Sequence, residues 1–227
     1  MKQKFTILFD LDGTLVDTAP DLMLAHNHVM RKFGYPTKST EDIRNLVGKG
    51  AGALIGRSIW GQAKKEFSKV LDEKIKDEMV KEFVSFYGKN IVNESTLVTG
   101  VKDFLIWCKE QNISMAVCTN KQEHLSNDLL KKIGIYDFFE YVAGSDTFDY
   151  CKPDPRHLTN VVEILDGDIK KTIMIGDSET DANAAKAAEI PVILLENGYT
   201  EKNTTEIYHN HLIKDFIDIE KIISKYL

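Results

Sequence analysis

The chain has 227 residues, of which 43% are hydrophobic, with 14 glycines and 5 prolines. This composition excludes collagenous and low-complexity proteins, and the length suffices for one or two globular domains. The formal net charge of −6 is a weak argument against a nucleic-acid partner, because no basic stripe offsets it.

The cysteines and the N-terminus indicate the compartment. Cys108, Cys118 and Cys151 are odd in number and irregularly spaced, which is typical of reduced thiols rather than of a disulfide framework. The N-terminal apolar run stops at Asp10, too early for a secretory signal, and no window approaches the roughly 20 apolar residues of a membrane span. We expect a cytoplasmic protein without a membrane partner, as a monomer or a homodimer.

Short apolar runs alternate with helical patterns over much of the chain. Near-continuous apolar runs are typical of parallel strands that helices cover on both faces. The predicted strands are Thr6–Phe9, Ser114–Cys118, Tyr141–Ala143, 172–175 and Val192–Leu195, and helices are predicted over 101–109, 124–133 and 181–188. The alternation predicts a doubly wound α/β fold with a Rossmann-like parallel sheet.

The segment 17–92 departs from this alternation, because it contains only helical patterns. A helix start is predicted at 18–21, with proline in the first turn, and Gly34 ends that helix. Residues 64–87 form an amphipathic pattern whose apolar stripe includes Phe67 and Leu71. We therefore predict an all-helical cap inserted after the first strand. The predicted boundaries are 17–92 for the cap and 1–16 with 93–227 for the catalytic core.

Polar side chains follow four of the predicted strands. Ligands of open α/β sheets bind beyond the carboxyl ends of the strands, so these side chains are candidate site residues. They are Asp10 and Asp12 after the first strand, Thr119 and Asn120 after the second, Lys152 in the loop after the third, and Asp177 with Asp181 after the fourth. The tail, 203–227, is predicted to be a loop, a short apolar run and a closing helix.

These motifs, in this order, resemble those of the haloacid dehalogenase superfamily of aspartate-dependent phosphatases. The matching motifs are Asp10-Leu-Asp12-Gly-Thr, Thr119-Asn120, Lys152-Pro and Gly176-Asp177-Ser-x-x-Asp181. From about Phe5 to Tyr199 the chain is similar to the phosphoglycolate phosphatases within that superfamily, for example in Val117-Cys-Thr-Asn-Lys121. One departure is Glu189, where a glycine usually follows the two alanines.

The resemblance implies a hydrolysis of phosphomonoesters that depends on Mg²⁺ and passes through an aspartyl-phosphate. Asp10 is the implied nucleophile, and Asp12 the implied general acid and base, with like charges nearby that favour its protonated form. Asp10, Asp177 and the backbone carbonyl of Asp12 are the implied ligands of Mg²⁺, a hard cation that prefers oxygen.

The remaining motif residues take supporting roles in the resemblance. Thr119, Lys152 and backbone amides near Asn120 would bind the phosphoryl oxygens, and Asp181 would orient Lys152 or a metal-bound water. In the predicted cap, Lys49 or Arg44 could meet a second anionic group of the substrate, such as a carboxylate. Plain surface charge is the alternative for both.

Cys118 and Cys151 flank two of the motifs. These thiols could form a redox switch. The alternative is that they only pack in the interior as small hydrophobic side chains.

We expect a phosphatase of a small phosphorylated metabolite, with 2-phosphoglycolate as the leading substrate. A leaving-group acid at Asp12 argues against hydrolysis of carbon–halogen bonds. Two alternatives stay open. One is a sugar phosphomutase or a pyrophosphatase on the same core. The other is a catalytically silent protein that binds a metabolite or a partner.

Overall fold

The structure is a computed structural model, and it describes residues 4–66 and 73–227. In chain order the strands are β1 (Thr6–Phe9), β2 (Val16–Asp17), β3 (Thr96–Leu97), β4 (Ser114–Cys118), β5 (Tyr141–Ala143), β6 (Thr172–Gly176), β7 (Val192–Leu195) and β8 (His211–Ile213). The helices are α1 (Ala19–Phe33), α2 (Thr40–Arg44), α3 (Ala51–Glu66), α4 (Glu73–Lys89), α5 (Val101–Glu110), α6 (Glu123–Ile133), α7 (Arg156–Ile164), α8 (Glu179–Ala187) and α9 (Glu220–Ile223).

Six strands form one parallel sheet in the order β5-β4-β1-β6-β7-β8. The five strands predicted from apolar runs are confirmed. The sixth, β8, was predicted only as a short apolar run. It has three half-buried residues at the edge of the sheet, too few to show a strand pattern. Because β1 lies between β4 and β6, the ends of these three strands meet.

Alternate strand residues pack into two separate cores, one on each face of the sheet. Leu8, Ala116 and Met174 belong to the core that α7 and α8 cover. Ile7 and Val117 belong to the other core, to which α5, α6 and α9 contribute. The predicted doubly wound arrangement is therefore confirmed.

The helices α1 to α4 lie between β2 and β3, which pair antiparallel as a two-stranded ribbon. The ribbon was not predicted, since two-residue strands carry no periodicity. The first inserted helix begins and ends as predicted, with Thr18 as N-cap and a left-handed Gly34 at its end. Phe67 and Leu71 of the predicted amphipathic stripe lie outside the described residues.

One buried carboxylate ties the start of the helical insert to its end. Asp21, in the first turn of α1, is 1% exposed. Its oxygens accept hydrogen bonds from the backbone N–H groups of Asn93, Glu94 and Ser95 at 2.9–3.1 Å and from Ser95 Oγ at 2.6 Å. Residues 93–95 are thereby fixed to α1. We therefore expect any flexing between insert and sheet at the β2–β3 ribbon rather than at 92–95.

Among the described residues, none of the helices combines the length and the apolar character needed to cross a membrane.

Replacing Asp21 tests the importance of this contact. Asp21→Ala should lower the free energy of unfolding by about 2–5 kcal/mol, because the two buried donors of Ser95 and the partly buried N–H groups of Asn93 and Glu94 lose a charged acceptor. Asp42→Ala is the matched control, since Asp42 also accepts a backbone N–H, from Ser39, but at an exposed position. Removing that exposed cap should cost only about 1 kcal/mol. Urea unfolding measures both, and equal losses would contradict the assigned role of Asp21.

Candidate active site

The sheet brings three motif residues to one place. Asp10 follows β1, Thr119 follows β4 and Asp177 follows β6, and these strands are neighbours. Backbone hydrogen bonds extend the pairing past the strand ends, from Asp10 N to Ile175 O and from Thr119 N to Ala143 O, both at 2.9 Å. The backbone at the site is therefore positioned by the sheet itself.

Three buried carboxylates form the centre of the site. Asp10, Asp177 and Asp181 each offer an oxygen, and these oxygens lie within 4.8 Å of one another. Burial raises the pKa of Asp10 to about 6. Burial, reinforced by the charges of Asp10 and Asp181, raises the pKa of Asp177 well above its usual range. Such a concentration of acidic oxygens is stable at neutral pH only with nearby positive charge.

Lys152 supplies part of that charge. Its Nζ donates to Asp10 Oδ1 at 2.8 Å and to Asp181 Oδ1 at 2.5 Å, and its side chain is 2% exposed. Burial alone would lower the pKa of Lys152, but the carboxylates of Asp10 and Asp181 outweigh burial and raise it. One ammonium among three carboxylates leaves a net negative charge. An all-oxygen set of this kind fits a hard divalent cation.

Asp181 belongs to the carboxylate group and to the start of α8 at once. Its Oδ2 accepts the backbone N–H groups of Asp177 and Ser178 at 3.2 and 3.1 Å and the Ser178 hydroxyl at 2.8 Å. Its Oδ1 binds Lys152. Asp181 therefore caps the start of α8 and contacts Lys152 at the same time.

Asp177 is held by Tyr199, which the sequence motifs do not mark. The backbone N–H of Tyr199 donates to Asp177 Oδ2 at 2.6 Å. The Tyr199 hydroxyl donates to Asp17 Oδ1 at 2.5 Å and accepts the backbone N–H of Ala19 at 2.8 Å. Tyr199 thus links a candidate metal ligand to the start of α1. Gly13 makes room for this arrangement: its φ is +85°, and a Cβ there would collide with Asp177 Oδ2.

Asp12 lies beside the carboxylate group rather than in it. Lys121 Nζ contacts its two oxygens at 2.6 and 2.8 Å, and Thr18 Oγ1 donates to Oδ1 at 2.7 Å. A like charge does lie nearby, since the Asp12 carboxylate acts electrostatically on Asp10, but the direct ion-pair partner of Asp12 is the ammonium of Lys121. Lys121 belongs to the stretch 117–121 that resembles phosphoglycolate phosphatases, but no local pattern in the sequence indicates its contact with Asp12.

Thr119 and Asn120 stiffen the loop after β4. Thr119 Oγ1 accepts the backbone N–H of Lys121 at 3.2 Å. Asn120 Nδ2 donates to the backbone carbonyl of Lys152 at 2.9 Å and to that of Gly48 at 3.1 Å. The Asn120 side chain therefore joins the loop that carries Lys152 to the helical insert.

A cavity of about 300 Å³ opens between the sheet and the insert. Asp10, Asp12, Thr119 and Asn120 line it on the sheet side. The insert contributes an apolar wall that consists of Leu22, Leu54, Val80, Phe83 and Tyr87. The candidate catalytic side chains and the insert thus face one common space.

The cap residues proposed for specificity have different positions. Lys49 is exposed and lines the cavity. Arg44 is not among the lining residues: its Nη2 binds Asp17 Oδ2 at 2.6 Å, and its guanidinium lies 5.3 Å from the centre of the Tyr199 ring. The position of Arg44 therefore gives no support to the prediction that it meets the substrate.

The two thiols near the motifs also differ. Cys118 is buried, and burial raises its pKa to about 12, so it is a poor candidate for a redox switch. Cys151 is half-buried and lines the cavity.

His157 supports the loop that precedes Lys152. Its Nδ1 donates to the backbone carbonyl of Tyr150 at 3.3 Å, and its buried Nε2 has no partner among the described residues. The imidazole is fully buried and lies near the ammonium of Lys152. Burial, with the nearby charge of Lys152, accordingly lowers the pKa of His157 to about 4.

This depressed pKa predicts a pH dependence of stability. As the pH falls from the usual histidine pKa of 6.5 towards about 4, the unfolded chain takes up a proton that the folded chain does not. The free energy of unfolding should therefore fall with pH over this window. Between pH 7 and pH 5 the wild type should lose about 2 kcal/mol more than His157→Gln. Urea unfolding at the two pH values measures this difference. The exposed His124→Gln variant should follow the wild type, and parallel losses in wild type and His157→Gln would contradict the assignment.

Comparison with known proteins identifies the family. A family model described as haloacid dehalogenase-like hydrolase matches residues 7–195. The chain belongs to this family, as its motifs predict.

Similar proteins indicate which kind of hydrolase within this family the chain resembles. A phosphoglycolate phosphatase of Mesorhizobium japonicum is 37% identical over 92% of this chain and 90% of its own length. One of Caulobacter vibrioides is 38% identical over 95% and 89%. The crystal structure of a predicted phosphoglycolate phosphatase from Haemophilus somnus 129PT has a TM-score of 0.90 at 31% identity, over 98% of this chain and 99% of that one. The predicted phosphatase class is confirmed.

Proposed function

We propose that this chain hydrolyses 2-phosphoglycolate in a Mg²⁺-dependent reaction through an aspartyl-phosphate on Asp10. The observation that carries the proposal is the buried group of Asp10, Asp177, Asp181 and Lys152, of which Asp10 lines a cavity of about 300 Å³. That volume is at the small end of ligand pockets and suits a small phosphomonoester. The similar proteins named phosphoglycolate phosphatases support the same substrate.

Asp10 and Asp177 would hold Mg²⁺ with the backbone carbonyl of Asp12. Bound there, the ion would neutralise the carboxylates and the phosphoryl oxygens. The three buried carboxylates, which Lys152 compensates only in part, fit this role.

In the first step, a carboxylate oxygen of Asp10 attacks phosphorus, and the bond to the ester oxygen breaks. Asp12, which lines the same cavity, gives a proton to the leaving oxygen. In the second step, Asp12 takes a proton from the water that attacks the aspartyl-phosphate, and Asp10 is regenerated as phosphate leaves. Thr119, the backbone amides near Asn120 and the ammonium of Lys152 bind the phosphoryl oxygens.

Residues 17–92 act as a cap over a catalytic core of 1–16 and 93–227 in this proposal. The apolar wall that α1, α3 and α4 contribute to the cavity supports it. Such a cap would exclude water during the first step and admit it for the second. We also propose that the protein is a cytoplasmic monomer or homodimer without nucleic-acid or membrane partners. The features of the sequence described above support this part of the proposal.

A substrate panel tests the proposal. We expect turnover of 2-phosphoglycolate above that of hexose phosphates and pyrophosphate, loss of turnover with a chelator, and recovery with Mg²⁺. Preferred turnover of pyrophosphate, or isomerisation of hexose phosphates, would replace the proposed reaction with one of the alternatives.

The nucleophile is tested separately. Asp10→Asn should lower kcat more than about 10³-fold, since the amide cannot form the covalent intermediate. Asp103→Asn, at an exposed aspartate of α5, is the control and should keep wild-type kcat. Full turnover by a folded Asp10→Asn variant would exclude this mechanism.

A further inference from the structure

Two lysines are among the described residues that line the cavity, and they differ in environment. Lys49 is exposed. The side chain of Lys121 is 5% exposed, and its ammonium contacts both oxygens of Asp12. Lys152 is not one of the lining residues, and its ammonium is paired with Asp10 and Asp181. Lys121 is therefore a buried cation on the side of the cavity where the implied general acid lies.

The surroundings of Lys121 leave room for one further acceptor. An ammonium has three donors, and the described residues offer Nζ only the Asp12 carboxylate as a hydrogen-bond acceptor. On another side, Nζ lies 4.5 Å from the centre of the Tyr87 ring, which holds it by a cation–π contact. Tyr87 also lines the cavity, is 1% exposed, and has a hydroxyl without a partner in the described residues.

The position of Lys121 relative to Asp12 defines what it can reach. An ester oxygen that receives a proton from Asp12 lies one hydrogen bond from that carboxylate. Lys121 Nζ is 2.6–2.8 Å from the same carboxylate. Because Nζ contacts both carboxylate oxygens, it also contacts the one that serves the ester oxygen, and the ammonium is therefore within roughly 6 Å of the ester oxygen, the sum of two hydrogen bonds. A group on the first carbon of the leaving alcohol can reach an ammonium at that distance.

We propose that Lys121 is the specificity-determining residue that binds a carboxylate of the leaving group. The substrates would be phosphomonoesters of short 2-hydroxy carboxylates. This inference rests on the proposed function, and it assigns the preference for 2-phosphoglycolate to one residue, Lys121. Leu54, Val80 and Phe83 on the facing wall offer no hydrogen bonds from their side chains, which disfavours sugar leaving groups.

Two substrates that differ in the carboxylate test this role. The value of kcat/KM is measured for 2-phosphoglycolate and for ethyl phosphate, which has the same two-carbon chain without the charge. Lys121→Gln also disturbs Asp12 and lowers both values, so the ratio between the two substrates isolates the carboxylate contact. We expect Lys121→Gln to lower that ratio roughly 10- to 100-fold, the effect of one charge-assisted hydrogen bond. Lys32→Gln, which removes the surface pair with Glu82, should leave the ratio unchanged.

Binding measurements test the same contact without turnover. They also avoid a side effect of Lys121→Gln, which leaves the carboxylate of Asp12 without its ion-pair partner. In an Asp12→Asn background, the affinity for 3-phosphonopropionate is compared with that for propylphosphonate, two ligands that cannot be cleaved. Adding Lys121→Gln should remove the preference for the carboxylate-bearing ligand. Thermal unfolding of each variant verifies that it is folded.

Three results would overturn the proposal. An unchanged ratio in folded Lys121→Gln would exclude the contact and leave the phosphatase function intact. Loss of the preference in Lys49→Gln, with the preference kept in Lys121→Gln, would assign the carboxylate to Lys49. Absence of turnover with every phosphomonoester would remove the proposed function itself and this inference with it.

Discussion

The site depends on the placement of one buried ammonium, that of Lys152, between two buried carboxylates. The carboxylates of Asp10 and Asp181 both contact this ammonium. Asp177 adds a third carboxylate to the same group. An ion pair in a protein interior is costly unless its remaining hydrogen-bonding groups are satisfied. The capping contacts of Asp181 and the Tyr199 contact of Asp177 meet that requirement here. The remaining negative charge is what a divalent cation would neutralise.

The ends of the central strands and one hydrogen-bonded loop position the side chains of this site. The central strand β1 and its neighbours β4 and β6 end at the same edge, where the winding of the chain changes direction. Lys152 comes from a loop that the Asn120 side chain and His157 both stabilise. Asp10 and Asp177 can therefore be held close together because they directly follow neighbouring strands, and hydrogen bonds from the backbone after β6 hold the side chain of Asp181 beside them.

Much of the fold and site could be predicted from the sequence, because the informative signals are local. The strands are short apolar runs, and Asp10, Asp177 and Lys152 come after strands at whose carboxyl ends ligands of open α/β sheets bind. The edge strand β8 and the β2–β3 ribbon could not be predicted, since two or three residues carry no periodicity. Glu189 adopts a left-handed φ of 58°, which explains why a glycine is usual there and the residue departs from the family pattern.

The partners of side chains far apart in the chain were not predictable. Lys121 faces Asp12, and Tyr199 joins Asp177 to Asp17, through contacts that only the folded chain creates. Arg44 was considered for the substrate because it is basic and lies in the insert. In the structure it is bound to Asp17 instead. The charge of a side chain predicts that it will pair with an opposite charge. It does not predict which residue, or which substrate group, the partner will be.

A crystal structure of the protein with Mg²⁺ and inorganic phosphate would test the central claim most directly. We expect one ion at about 2.0–2.1 Å from carboxylate oxygens of Asp10 and Asp177, with a phosphate oxygen among its ligands and Lys152 in contact with the phosphate. An ion bound elsewhere, or phosphate bound away from Asp10 while the carboxylates keep their present contacts, would contradict it.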